Sequence, residues 1–239
     1  MAESYVAVPT WTEVASIGGR CLLVVPVGSF EQHGPHLPLD TDTRVATALV
    51  DEVAELPFVL VAPPLAYGAS GEHAGFAGTL SIGSEVLADV LVELVRSARD
   101  ACAGVVFVCA HGGNADGLRL ARERSRSEGD RVFVWGARVA GGDSHAGRTE
   151  TSLMLAIAPD AVRYGHLEPG RTEPLDALLP ALRSGGVKAV SANGVLGDPM
   201  LATAAEGRLL FDSLIEELTS ALEWWWSDLT EPAVAGVSE

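Results

Sequence analysis

Apolar residues along this 239-residue chain fall into two patterns: short continuous runs, and longer stretches where they recur every three or four positions. Residues 21–27 (CLLVVPV), 58–62 (FVLVA), 105–110 (VVFVCA) and 131–135 (RVFVW) are of the first kind. Short, unbroken and rich in β-branched side chains, they predict strands buried on both faces. Residues 43–56, 84–103 and 114–128 are of the second kind; in 84–103 the residues Val86, Leu87, Val90, Leu91, Leu94, Val95 and Ala98 trace one stripe of an amphipathic helix. Strand and helix alternate, so the chain is expected to be α/β: a three-layer α/β/α domain around a mainly parallel central sheet. Beyond Trp135 the pattern loosens. A short helix is expected over 149–158, stopped by Pro159, with a helical piece near 175–183, a strand at 187–192 and a final amphipathic helix over 209–226. That gives one domain over 1–226, with 227–239 expected to be a poorly ordered tail. Trp224, Trp225 and Trp226 cannot all face one core, so at least one is expected at a subunit contact.

Composition narrows the classes. The formal net charge of −16, from 32 acidic against 16 basic residues, repels phosphate backbones and makes nucleic acid an unexpected partner. The longest apolar runs fall short of the roughly 20 residues a membrane span needs. No basic region followed by an apolar stretch opens the chain, and the three cysteines have no CxxC spacing, so a cytoplasmic protein with buried reduced thiols is expected.

The unusual polar segments each follow a predicted strand. They are 28–43 (GSFEQHGPHLPLDTDT), 66–76 (AYGASGEHAGF), 111–114 (HGGN) and 141–152 (GGDSHAGRTETS). Ligands of open α/β sheets bind beyond the carboxyl ends of the strands, so four sequence-remote segments are expected to converge. Of the six histidines, five lie in them: His33, His36, His73, His111 and His145. Imidazoles mixed with carboxylates suit zinc, iron or manganese, and Glu31, His33, Asp42 and His111 are the candidate ligands. Glu150, in the first turn of its helix, is either a ligand, a general base, or an acidic residue placed there by the helix dipole. Glu72 and His73 either face substrate or brace their loop. Asp40 either orients a ligand or sits in a solvated turn. Asn114 is expected to cap the following helix. The segment 193–199 (NGVLGDP) reads as a lid over the site or an ordinary surface loop. HExxH, GxSxG, P-loop and dinucleotide fingerprints are missing.

The stretches EQHGPHLPL at 31–39, Asp42, HGGN at 111–114 and HAGRTETS at 145–152 together resemble the creatininase family of metal-dependent amidohydrolases, in order and over about residues 20–220. Residues 70–83 and 193–199 look most like its peptide-maturing branch. The resemblance implies two divalent ions per subunit, iron or zinc with manganese as a third choice, held by Glu31, His33, Asp42 and His111 with Asp42 bridging. It implies a water attacking an amide carbonyl, Glu150 shuttling the proton, and His145 steadying the oxyanion or protonating the leaving nitrogen. His36, Glu72 and His73 are then candidates for substrate contact. The implied substrate is a ribosomally made precursor peptide cut before its modified C-terminal Val-Tyr unit, and the implied assembly a dimer-based homo-oligomer, up to a hexamer. One position departs. Creatininase carries a glutamate ligand two residues after the histidine matching His111, where this chain has Gly113; either Glu150 fills that place or the second ion is held more loosely. The alternatives are an amidohydrolase acting on a cyclic amide or a formamide of a small heterocycle, and a non-catalytic subunit that binds the peptide.

Overall fold

A computed structural model describes residues 9–230. Four strands, β1 (Leu22–Val27), β2 (Val59–Val61), β3 (Gly104–Cys109) and β4 (Val132–Gly136), form a fully parallel sheet in the order β2-β1-β3-β4. The central strands show why their sequences run apolar without alternation. Leu22 and Val24 of β1, with Val106 and Val108 of β3, face one core, while Val25 and Val27, with Val105, Phe107 and Cys109, face another. Pro26 is tolerated in a central strand because its missing N–H points toward β2, which has already ended at Val61; its carbonyl still accepts from Leu65 N at 2.9 Å.

The helices cover the two faces. On one side α2 (Thr41–Val53), α5 (Arg148–Ile157) and α7 (Ala204–Thr230) bury Leu49, Val50, Met154, Leu218 and Leu222; on the other α3 (Ser84–Ala98) and α4 (Ala115–Ser127) bury Leu87, Leu91, Leu118 and Ala121. The expected three-layer α/β/α sandwich is present. Ahead of β1 lies α1 (Trp11–Ile17), an exposed helix closed by a capping box between Thr10 and Glu13, which apolar periodicity does not reveal because α1 buries no residue. Connections leave β1 toward β2 and β3 toward β4, in opposite directions. The carboxyl ends of these neighbouring strands are therefore the switch point of the sheet.

Two expectations are corrected. The strand at 187–192 is instead the second half of α6 (Leu175–Val190), which continues past a break at Gly186, where φ is +68°. Only glycine adopts that backbone at little cost. The last helix begins at Ala204 rather than 209 and runs on through residues 227–230; the remainder of the expected tail lies outside the described residues. Of the tryptophan triplet, Trp225 packs in the core, Trp226 stacks on Phe58 with ring centroids 5.1 Å apart, and Trp224 stands 64% exposed. Cys21, Cys102 and Cys109 are buried free thiols.

Candidate metal centre

The loops after the strands meet at the switch point and are tied there by one side chain. Asn114 occupies the cap position of α4 but makes no capping bond; its amide donates to Gly28 O at 2.8 Å and its oxygen accepts from Ala69 N at 2.8 Å. It thus joins the segments after β1, β2 and β3. Asp42 enters from the first turn of α2, where its charge is favoured by the helix N-terminus, and accepts from Ser29 Oγ at 2.7 Å. Glu150 enters from the first turn of α5 and accepts from Ala146 N at 2.6 Å, a contact made by the left-handed turn at Ala146, φ +51°. Asp143 is not part of the cluster: it caps α5 through the backbone N–H groups of Arg148 and Thr149.

Asp42 is the middle of the arrangement. Its Oδ1 lies 3.2 Å from His33 Nε2, and its Oδ2 3.1 Å from His111 Nδ1. Glu31 Oε1 is 3.2 Å from His73 Nε2, and its Oε2 is 3.1 Å from His111 Nε2. His33 Nε2 is also 3.9 Å from Glu150 Oε2, and Glu72 Oε1 is 3.6 Å from His111 Nε2. Two triads with no member in common, Glu31–Glu72–His111 and His33–His145–Glu150, each bring three donor atoms within 4.8 Å of one another. Asp42 touches both.

The electrostatics are those of a cation site. Burial pushes the Glu31 carboxyl up to about 7, and both its oxygens, fully enclosed, have no hydrogen-bond partner. Burial likewise raises Glu150 to about 7, helped by the nearby Asp42 charge. For Asp42 burial opposes the charge, but His33 and His111 outweigh it and hold the carboxyl well below its usual range. Burial also opposes charge on His33 and His111; the carboxylates around them, Asp42 foremost, nevertheless lift them to about 10 and about 9. Orphaned buried carboxylate oxygens are costly unless something electropositive faces them. A divalent ion supplies that, and the nitrogen and oxygen donors fit zinc, iron or manganese. His33 is braced as a ligand should be: its Nδ1 donates to Glu31 O at 3.1 Å, leaving Nε2 to face the cluster.

Gln32, a residue that sequence reasoning passed over, sets two more histidines. Its side-chain oxygen accepts from Gly34 N at 2.9 Å, and its amide nitrogen donates to Gly194 O at 3.1 Å and to His73 Nδ1 at 2.8 Å. His73 then carries its proton on Nε2, facing Glu31. His145 donates from Nε2 to Gln32 O at 2.8 Å, so its Nδ1 presents a lone pair 3.9 Å from Glu31 Oε1. Burial keeps both histidines neutral, with the neighbouring His33 adding to it at His145 and His111 at His73, the latter down at about 3. The only advance signal for Gln32 was its place between two candidate ligands.

A cavity of about 790 Å³ opens over the cluster, reached by Asp42, Glu72, His73, His111, His145 and Glu150 and walled by Leu175, Leu179, Leu182 and Val187 of α6 and by Leu196. His36 is not among the lining residues: fully buried, its Nε2 lies 2.9 Å from Thr151 Oγ1. Asp40 pairs with Arg44 at 2.8 Å, away from the cluster. The 193–199 segment is neither lid nor surface loop. Gly194 to Gly197 are buried, and Leu196 O accepts from the backbone of Ser144 and His145, so the segment buttresses the His145 loop from behind.

A histidine–carboxylate cluster at the switch point of a parallel α/β sheet, under an open cavity, defines the chain as a hydrolase of the metal-centred kind. The family model described as creatinine amidohydrolase matches residues 8–222, and the chain belongs to the creatininase family. A mycofactocin precursor peptide peptidase of Mycobacterium ulcerans (strain Agy99) is 52% identical over 213 residues, covering 85% of each chain. The creatinine amidohydrolase of Pseudomonas putida is 28% identical over 89% of this chain and 94% of its own. A creatininase variant solved in a Zn-Zn form superposes with a TM-score of 0.75 at 28% identity, over 92% of this chain and 97% of that one.

Proposed function

We propose that this protein is a metal-dependent peptidase that cuts the mycofactocin precursor peptide before its modified C-terminal Val-Tyr unit. The observation that carries the metal reading is the enclosed Glu31 carboxylate with both oxygens unpartnered, beside an Asp42 whose two oxygens face a histidine of each donor triad. The peptide reading is supported by the 52% identity to the mycobacterial peptidase, against 28% to creatinine amidohydrolase. The cavity adds to it. At about 790 Å³, with an apolar wall from α6, it is roomier than a small heterocycle requires and suits a hydrophobic, aromatic peptide end.

Glu31, His33, Asp42 and His111 would hold the ions, with Glu150 beside the second. A pair of bound divalent ions supplies an activated water and polarises the scissile carbonyl. Glu150, which lines the cavity beside His33 at the second donor triad, is placed to take a proton from the attacking water and pass it on. His73 lines the cavity but turns its Nε2–H toward Glu31; His145 presents a lone pair, so it acts as an acid toward the leaving nitrogen only after taking up a proton at Nδ1. Iron or zinc, a cytoplasmic location and a dimer-based homo-oligomer complete the proposal, with exposed Trp224 and Trp11 as candidate contact residues. The test is mass spectrometry of the modified precursor peptide, creatinine and a formamide after incubation with metal-loaded protein. Only the peptide is expected to turn over; turnover of a small amide instead assigns the other activity, and peptide and metal binding without any product assigns a non-catalytic subunit.

A further inference from the structure

Glu72 is held in a slot made by two glycines. Its carboxylate lies where any side chain at Gly113 would begin, and its backbone carbonyl lies 2.6 Å from where a Cβ on Gly186 would be. The first glycine follows β3; the second is the break in α6. Loop, strand end and helix break thus all yield space to one acidic residue, which sits on a single 3-10 turn, Gly71–His73, beside the buried His73.

That placement brings Glu72 Oε1 to 3.6 Å from His111 Nε2, on which Glu31 Oε2 also converges at 3.1 Å. Two carboxylates and an imidazole lie within 4.8 Å of one another, one carboxylate wholly enclosed and without a hydrogen-bond partner, and a divalent ion among them would take the place of the proton on His111. We infer that Glu72 is a ligand of the ion held by Glu31 and His111, closing that site on the cavity side. The role differs from the substrate contact expected of this residue. A Cβ on Gly113 would meet the Glu72 carboxylate and also His111 Nε2 and Ala69 O, so no ligand can come from that position and Glu72 supplies one from the loop after β2. The inference rests on the metal reading above, but not on the identity of the substrate.

The test is metal binding, read without substrate. Wild type, Glu72→Gln and Glu31→Ala are stripped with chelator, dialysed against Zn²⁺ for elemental analysis, and titrated against a chromophoric chelator; Co²⁺-loaded samples are read by visible absorption. Glu72→Gln, at a partly exposed position, is expected to weaken one ion about tenfold or more, leave the other near wild type, and alter the Co²⁺ spectrum. Glu31→Ala is expected to lose the same ion. Wild-type affinity at both ions and an unchanged Co²⁺ spectrum in both Glu72→Gln and Glu72→Ala would overturn the inference. Undiminished metal in Glu31→Ala would overturn the metal reading itself, and full metal content without peptide cleavage would overturn only the substrate.

Discussion

Asp42 stands in the middle of the centre: Ser29 donates to it and His33 and His111 flank its two oxygens. Substituting Asp42→Asn weakens the one carboxylate that contacts a histidine of each triad, His33 in one and His111 in the other, and both ions are expected to be lost together in elemental analysis. Gln32→Ala is expected to leave the ions' direct ligands in place while freeing His73 and His145 to rotate; a loss of roughly 10 to 100-fold in metal affinity or turnover is predicted, the range for residues behind a ligand. Protonation gives a further test. In the metal-free protein His33 and His111 bind protons more tightly than in the unfolded chain, so their contribution to stability is complete below the ordinary value of 6.5 and is lost as pH rises through about 9 and about 10. Glu31 and Glu150, raised to about 7, push the same way at lower pH, while His36 and His73, lowered to about 4 and about 3, and His145, also lowered, oppose them below 6.5. Above pH 7 the His33 and His111 pair dominates the site. The Tm of stripped protein should therefore fall from pH 7 to 10, and saturating Zn²⁺ should flatten that slope, since the ion takes the place of the protons. A Tm that rises over this window, with or without Zn²⁺, would contradict the assignment of these two imidazoles. The candidate ligands were legible in the sequence because unusual polar residues at strand ends have few structural reasons to be there, and the structure brings them together. Glu72 was recognised only as ambiguous, and its pairing with Gly113 depends on two loops meeting in space, which spacing along the chain does not encode.

At the level of elements, β1, β3 and their covering helices could be read directly, since burial on both faces of a parallel sheet leaves continuous apolar runs. The second half of α6 misled for the same reason: Val187, Val190 and their neighbours form a short apolar run after two glycines, which a strand and a restarted helix share. The 193–199 segment misled in another way. Its turn residues predict a bend correctly, but its burial comes from packing behind the His145 loop. The final helix separates core from surface in adjacent residues. Trp225→Ala is predicted to cost about 3–5 kcal/mol, as for a buried large aromatic, and Trp224→Ala to stay within about 0.5 kcal/mol in the monomer. Urea unfolding of the two variants measures the difference. A dilution-dependent loss of stability confined to Trp224→Ala would locate a subunit contact at that face.

For the whole molecule, order in the sheet explains the position of the chemistry. Because chain connections diverge from β1 and β3, their loops leave a crevice, and the segments after β2 and β4 fold over it to supply His73, Glu72, His145 and Glu150. The excess of 16 acidic residues over basic ones is a property of the chain without ions. Part of it, in Glu31, Asp42, Glu72 and Glu150, is concentrated where bound cations would offset it, and the rest is distributed elsewhere. The central claim, that this cluster is a metal-dependent peptidase site, is tested most directly by incubating metal-loaded wild type, chelator-stripped wild type and Glu31→Ala with the modified precursor peptide and following the released C-terminal unit by mass spectrometry. Release by the loaded wild type alone, restored to the stripped protein by Zn²⁺ or Fe²⁺, is the predicted result; equal release by all three would contradict it.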